Sequence, residues 1–308
     1  MRKYLLLLVT AGISSFASAQ QVSKLKITLL STMVADLKGM GEWGFSALVE
    51  TDSTRILFDT GGRPNTVIDN ADELKMDLAG IRQVVLSHNH IDHTAGLGAI
   101  RKQFSGTGAV VYIGSEFFLR APASVPVGMS KVDSAAYVSS GGRFVVVSRP
   151  QEISAGIYLT GPVPRKTDEK NYPRGKTLTT ANGVIEDNVP EDISMVIRTG
   201  RGLVVLTGCG HAGVVNTMEY VAQQFPGEKI VALVGGVHLL DAKDEQLEWT
   251  ANKLKSFGIQ YFIGAHCTGL NSVYRIREIA KMTKENCLIG TVGMTFDIDQ
   301  GIKTGWLK

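Results

Sequence analysis

The 308-residue sequence predicts a layered α/β fold. Short, uninterrupted, β-branched apolar runs recur along the chain, and in its last third they alternate with apolar stripes at helical spacing. Histidines stand just past the ends of four of the runs. In layered α/β folds the loops after the strands line one rim of the sheet, where sites are usually built.

Strands are expected near Leu25–Leu30, Phe45–Glu50 and Arg55–Phe58. The third ends in Asp59-Thr60-Gly61-Gly62, a turn that lets the backbone change direction. A short helix is expected over Asn65–Leu74, followed by the buried strand Val84-Val85-Leu86. The stretch from about 114 to 190 holds seven of the nine prolines and the polar run from Arg165 to Lys170. A connection of that length is usually functional or mobile. It is expected to be irregular, either a partial lid over the site or a solvated insertion. Beyond it, Gly202–Leu206, Ile230–Val234 and Tyr261–Ile263 are strand candidates. Helices follow them: Val214, Met218, Val221, Ala222 and Phe225 share one stripe, and Leu247, Ala251 and Leu254 another, with Gly258 as its stop. Val273, Ile276, Ile279 and Ala280 form a third. These stripes are core.

All six histidines fall in four places, and three of them lie in His88-Asn89-His90-Ile91-Asp92-His93. Histidine is the commonest metal ligand, and carboxylate oxygen suits the same borderline cations. Four potential ligands within six residues are hard to explain as packing, because uncompensated imidazoles and a carboxylate are costly to bury. His211, His238 and His266 each follow one of the later strand candidates. If those strands share a sheet, the imidazoles converge; otherwise the three are loop histidines that cap or hydrogen-bond.

The N-terminus reads as a secretory signal peptide. Arg2 and Lys3 precede the apolar run from Tyr4 to Val9, and Ala17-Ser18-Ala19 offers a small-residue cleavage site before Gln20. The run is too short and interrupted to span a membrane. Residues 1–19 are therefore expected to be removed on export, to a periplasm or beyond, leaving 20–308 as the folded chain. Their loss removes two basic residues and no acidic one, so formal charge falls from +3 to +1. Such a balance gives no electrostatic case for nucleic acid or an anionic membrane as partner. A small molecule is the expected partner. Cys209 and Cys267 lie beside His211 and His266, which leaves a disulfide between them, metal ligation, or simple burial open. Cys287 reads as core.

The run Ser87-His88-Asn89-His90-Ile91-Asp92-His93-Thr94-Ala95-Gly96 resembles the HxHxDH signature of the metallo-β-lactamase-fold superfamily. Asp59-Thr60-Gly61 resembles that superfamily's first motif, whose aspartate orients the metal loop. More narrowly, the segments Thr207–Gly213, Gly235–Leu239 and His266–Gly269 are similar to one branch, as are Gly161–Arg165 and the acidic Glu186-Asp187 through Glu191-Asp192. That branch holds the 7,8-dihydropterin-6-methyl-aminobenzene-phosphate synthases and their metal-dependent hydrolase relatives. The resemblance runs from about Leu25 to near the C-terminus.

The resemblance implies an αββα sandwich, two mixed sheets face to face with helices outside and the metals at one rim. It implies two divalent ions, zinc first, with manganese or iron as alternatives. His88, His90 and His211 would bind one ion, and Asp92, His93 and His266 the other. Cys209 stands where many superfamily hydrolases place an aspartate that bridges the metals. Such ions lower the pKa of bound water to about 7, which supplies hydroxide at neutral pH. Asp92 would orient it, His238 is a candidate proton donor or substrate contact, and Arg165, beside Lys166, is a candidate contact to an anionic substrate. The reading is an exported hydrolase of an ester, lactone or phosphoester. The alternatives are a synthase-like transferase, a true β-lactamase, a mononuclear-iron redox enzyme, and a metal-binding protein without turnover.

Overall fold

The computed structural model describes residues 20–119, 128–180 and 183–307. The expected signal peptide, and Pro122 and Pro126 of the middle stretch, lie outside the described residues. The first half of the chain runs β1 (Leu25–Ser31), β2 (Val34–Ala35), β3 (Ser46–Thr51), β4 (Arg55–Phe58), α1 (Thr66–Glu73), β5 (Gln83–Leu86), α2 (Ile91–Thr94), α3 (Leu97–Gln103), β6 (Val110–Gly114), α4 (Lys131–Ser139) and β7 (Arg143–Val147). The next part runs β8 (Gln151–Ser154), β9 (Ile157–Leu159), β10 (Thr177–Thr180), β11 (Gly183–Glu186), β12 (Met195–Thr199), β13 (Gly202–Thr207), α5 (Val214–Gln224) and β14 (Ile230–Gly235). The chain closes with α6 (Asp244–Phe257), β15 (Tyr261–Gly264), α7 (Leu270–Ala280), β16 (Cys287–Ile289), β17 (Thr291–Val292), β18 (Thr295–Asp297) and β19 (Gly301–Lys303).

Two sheets hold most of these strands. The larger has the order β19-β18-β1-β3-β4-β5-β6-β7, and the other has β16-β15-β14-β13-β12-β9-β8. The C-terminal hairpin returns to the first sheet, where β18 pairs antiparallel with β1, Ile27 opposite Phe296. Within each sheet one block is parallel: β4 to β7 in the first, and β13 to β16 in the second. Parallel strands are covered on both faces, which is why they read as unbroken apolar runs rather than alternating ones.

The pleat nevertheless sorts the side chains. In β4, Ile56 and Phe58 enter the core between the sheets while Leu57 faces the outer helices. In β13, Val204 and Leu206 face inward while Leu203 and Val205 meet α5, α6 and α7. The expected stripes of α5 and α6 are buried there, and Gly258 ends α6 in the left-handed conformation that a glycine adopts without strain. Helices α1, α3 and α4 cover the first sheet. The result is the four-layer αββα sandwich.

The middle stretch departs from the irregular lid expected of residues 114–190. It contributes α4 and β7 to the first sheet's side of the sandwich and β8 and β9 to the second sheet. Val147, Ile157 and Leu159 lie in the core between the sheets. The strands are short and Pro150, Pro162 and Pro164 sit just beyond their ends, so the proline spacing marks strand boundaries rather than loop. Only the hairpin β10–β11 stands apart as its own two-stranded unit. Among the described residues no helix is long and apolar enough to cross a membrane.

Candidate metal centre

The parallel blocks of both sheets end at the same rim, and every expected ligand sits on a loop leaving one of those ends. Asp59 follows β4, the cluster from His88 to His93 follows β5, and Cys209 and His211 follow β13. His238 follows β14, and His266 and Cys267 follow β15. Asp59 organises the first two loops. Its Oδ1 accepts from the Ser87 backbone N–H at 2.7 Å, and its Oδ2 accepts from Ser87 Oγ at 2.8 Å and lies 2.7 Å from His93 Nδ1. Ser87 Oγ is in turn 2.9 Å from His88 Nδ1. The Nε2 atoms of both histidines are thereby turned into the site.

Those atoms meet their neighbours at nearly constant spacing. His88 Nε2 lies 3.0 Å from His90 Nδ1, His93 Nε2 lies 3.1 Å from Cys209 Sγ, and His266 Nε2 lies 3.1 Å from Asp92 Oδ2. The last contact is an approach without hydrogen-bond alignment, since both ring nitrogens of His266 are buried with no hydrogen-bond partner. His211 Nε2 is orphaned in the same way, while its Nδ1 is fixed on the Asn171 carbonyl at 2.6 Å. Nitrogen and oxygen ligands on one tetrahedral ion stand about 3.3 Å apart for bonds of about 2.0–2.1 Å. The spacing and the orphaned nitrogens both fit divalent ions.

The ligand atoms of His88, Cys209 and His211 lie within 4.8 Å of one another, as do those of His93, Cys209 and His266. Cys209 is common to both groups. His90 joins the first through His88, and Asp92 joins the second through His266. The structure thus brings together the residues of the two expected sets, with the cysteine between them. The three cysteines are free and buried, so the disulfide alternative for Cys209 and Cys267 is not the arrangement found. Cys287 packs in the outer core beneath α7.

Electrostatics follow from burial and crowding. Burial works against ionisation of Asp92, but the imidazoles of His93 and His266 hold its carboxyl well below the usual carboxylate range. Burial opposes protonation of His93, yet the carboxylates of Asp59 and Asp92 raise its pKa to about 9. Burial, followed by the neighbouring His238 and His90, pushes His211 well below the ordinary imidazole value and leaves it neutral, the form that ligates.

A cavity of about 270 Å³ opens onto this cluster. Trp43, Ile91 and Pro173 form its apolar side, and His90, Asp92, Cys209, His211, His238 and His266 its polar side. Trp43 is half exposed and packs on His266 with ring centroids 4.9 Å apart. Arg165 is not at the cavity. Its Nη2 donates to the carbonyl oxygens of Asn188, Val189 and His211, so it ties the loop before β12 to the loop after β13 instead of reaching for substrate.

A family model described as the metallo-beta-lactamase superfamily matches residues 44–217, the span that carries Asp59, the histidine cluster, Cys209 and His211. The chain belongs to the metallo-β-lactamase superfamily. A curated relative from Methanocaldococcus jannaschii, 7,8-dihydropterin-6-methyl-4-(beta-D-ribofuranosyl)-aminobenzene-5'-phosphate synthase, is 30% identical over 262 residues, 81% of this chain and 88% of its own. The crystal structure of Tm1679, described as a metal-dependent hydrolase of the beta-lactamase superfamily, superimposes with a TM-score of 0.74 at 27% identity. That match covers 89% of this chain and 99% of Tm1679. The metallo-beta-lactamase fold protein YhfI from Bacillus subtilis shares the fold at 12% identity and a TM-score of 0.52, over 89% of this chain and all of that one.

Several residues that shape this superfamily site lie in segments that resemble the branch but had no role assigned from the sequence. Glu191 accepts from the Asn89 backbone N–H at 3.1 Å, and Asp192 from that of Ala212 at 2.9 Å. One dipeptide therefore holds the loop of His88 and His90 against the loop of His211. Burial raises the Asp192 carboxyl to about 7, and its Oδ1 is buried without a partner, where a proton would sit. A raised folded-state pKa means the native state binds more protons than the unfolded chain between about pH 4 and about pH 7, so stability falls as pH rises through that window. Asp192→Asn keeps an acceptor for Ala212 and is expected to flatten this decline, which thermal unfolding across the window measures.

Gly208 is a second such residue. A Cβ there would meet Ser87 Oγ at 2.1 Å and Asp59 Oδ2 at 2.6 Å, so only glycine lets β13 end against the aspartate that orients the histidines. Gly208→Ala is expected to displace that clamp and weaken metal retention about 10–100-fold, as loss of an outer-shell partner does. Competition with a chelator measures it.

Proposed function

We propose that the protein is a metal-dependent hydrolase that acts on an ester, lactone or phosphoester of a small molecule at the rim of the two sheets. The convergence of two histidine sets on Cys209, with Asp92 at the cavity wall, carries this reading. The 27% identity to Tm1679 across nearly its whole length supports it. His88, His90 and His211 would hold one ion and Asp92, His93 and His266 the other, with Cys209 between them.

Divalent ions at such a site supply a nucleophile from water at neutral pH and polarise a carbonyl or phosphoryl oxygen. The residues of the chain do the rest. Asp92 accepts a hydrogen bond from the attacking water and orients it. His238, whose Nδ1 is buried without a hydrogen-bond partner, faces the same cavity. Trp43 shields His266 from solvent and offers a flat apolar face at the entrance. The cavity volume suits the reacting group of a small substrate, with the remainder lying toward Trp43 and Pro173.

A second reading is a synthase-like transferase, which the 30% identity to the synthase favours. Turnover in ¹⁸O-labelled water separates the two on any substrate found by screening phosphodiesters and lactones with the metal-loaded protein. Label in the product supports hydrolysis. Product formed without label, and only when an acceptor is present, moves the assignment to transfer. We also propose export directed by residues 1–19, which N-terminal sequencing of protein recovered from the periplasm or medium tests.

A further inference from the structure

Beside the two histidine sets lies a third group at the centre. Cys209, His238 and Cys267 offer ligand atoms that all lie within 4.8 Å of one another. They come from the ends of three adjacent parallel strands, β13, β14 and β15, so the sheet itself fixes their spacing. Both thiols are buried and free. Two sulfur ligands about 2.3 Å from a tetrahedral ion stand about 3.8 Å apart, which this group can meet with small side-chain shifts.

Three further observations point to a ligand there. His238 holds a backbone φ of 45°, the left-handed region that a non-glycine residue adopts at a cost of about 1 kcal/mol or more and that clusters at functional sites. Its Nδ1 is buried with no hydrogen-bond partner. The turn is also locked in place: the Cys267 carbonyl accepts from the backbone N–H groups of Leu239 and Leu240, both at 3.1 Å, and Val237 N–H donates to Thr268 Oγ1. Gly236 leaves the sulfur its space, since a Cβ there would stand 3.0 Å from Cys267 Sγ. Strain, an orphaned ring nitrogen and a preorganised thiol pair are what packing alone does not require.

We propose that Cys209, His238 and Cys267 form a third metal subsite, selective for a thiophilic ion such as zinc or cadmium. It shares the Cys209 sulfur with the histidine sets. Thiolate donors select soft ions over magnesium, calcium or manganese. Binding releases the two thiol protons to solvent.

The test titrates metal-free full-length protein with Cd²⁺ alone, reading the ultraviolet sulfur-to-cadmium charge-transfer band and the ions bound per chain. The unaltered protein is expected to hold one ion more than Cys267→Ser and to show about twice its charge-transfer absorbance, because one of two thiolates is gone. His238→Gln is expected to weaken the last ion bound while the band of Cys209 persists. An anomalous difference map of the unaltered protein grown with Cd²⁺ supplies the second measurement, needed if Cys267→Ser does not fold. A peak at bonding distance from both sulfurs supports the subsite. An equal ion count and equal band in Cys267→Ser, or ions at the histidine sets with none beside Cys267, overturns it and leaves the histidine sites standing. A protein that takes up no ion at all overturns both.

Discussion

Asp92→Ala is expected to lower kcat/KM at least about 10³-fold while the protein stays folded, the scale of losing a group that acts in the transition state. Its carboxylate is the one acidic side chain at the cavity wall among the described residues, 3.1 Å from His266 Nε2 and 3.8 Å from His93 Nε2. On the proposed function, alanine removes a ligand, the acceptor for the attacking water and the counter-charge for two imidazoles. The side chain lies at the site's edge rather than in the hydrophobic core, so the melting temperature of the metal-free variant should stay close to that of the parent. Turnover measured on the same preparation as the unfolding curve decides the matter. Activity within tenfold of the parent would sink the mechanism and would favour a metal-binding protein without turnover.

Asp59→Ala carries the largest expected loss of stability. The carboxylate is fully buried and holds Ser87 N, Ser87 Oγ and His93 Nδ1. Its removal leaves buried donors unpaired, a change that costs about 3–5 kcal/mol when the partner is a charged group. Metal retention should fall as well, since His93 loses the bond that orients it. A pH signature accompanies the loss. In the metal-free protein the His93 pKa is raised from 6.5 to about 9, so its stabilising contribution is full below about pH 6.5 and is lost as pH rises through about 9. The variant should show a shallower slope, because Asp92 still raises the His93 pKa. Denaturant unfolding at several pH values measures both effects, and a variant as stable as the parent would show that Asp59 does not organise the rim.

Much of this architecture was legible in the sequence because the determining patterns are local. Val84-Val85-Leu86 and Val204-Val205-Leu206 are buried on both faces and announce themselves as strands. The stripe of Leu247, Ala251 and Leu254 needs only helical periodicity, and Gly258 stops it where expected. The cluster of potential ligands after β5 was visible for the same reason, with four side chains in six residues. What the sequence hid is long-range contact, even where a resemblance singled out the residues. Glu191 and Asp192 matter because β12 begins where two distant loops meet, and no spacing along the chain records that. Arg165 looked like an anion contact because its neighbours are charged, but the carbonyls of Asn188, Val189 and His211 take its guanidinium. The strands around Pro150 were masked by prolines that mark their ends. Cys267 and His238 come together only through the order of β13, β14 and β15.

The proposed function requires catalytic metal at the histidine rim. The most direct test is metal content per chain by elemental mass spectrometry on protein purified without added metal, with turnover followed through chelation and metal return. About two divalent ions at the rim, activity lost on chelation and activity restored with zinc or manganese are the predicted results. Because the thiol subsite proposed above would add a third ion, the count is repeated on Cys267→Ser. No tightly held ion, even after zinc is offered, would contradict the account.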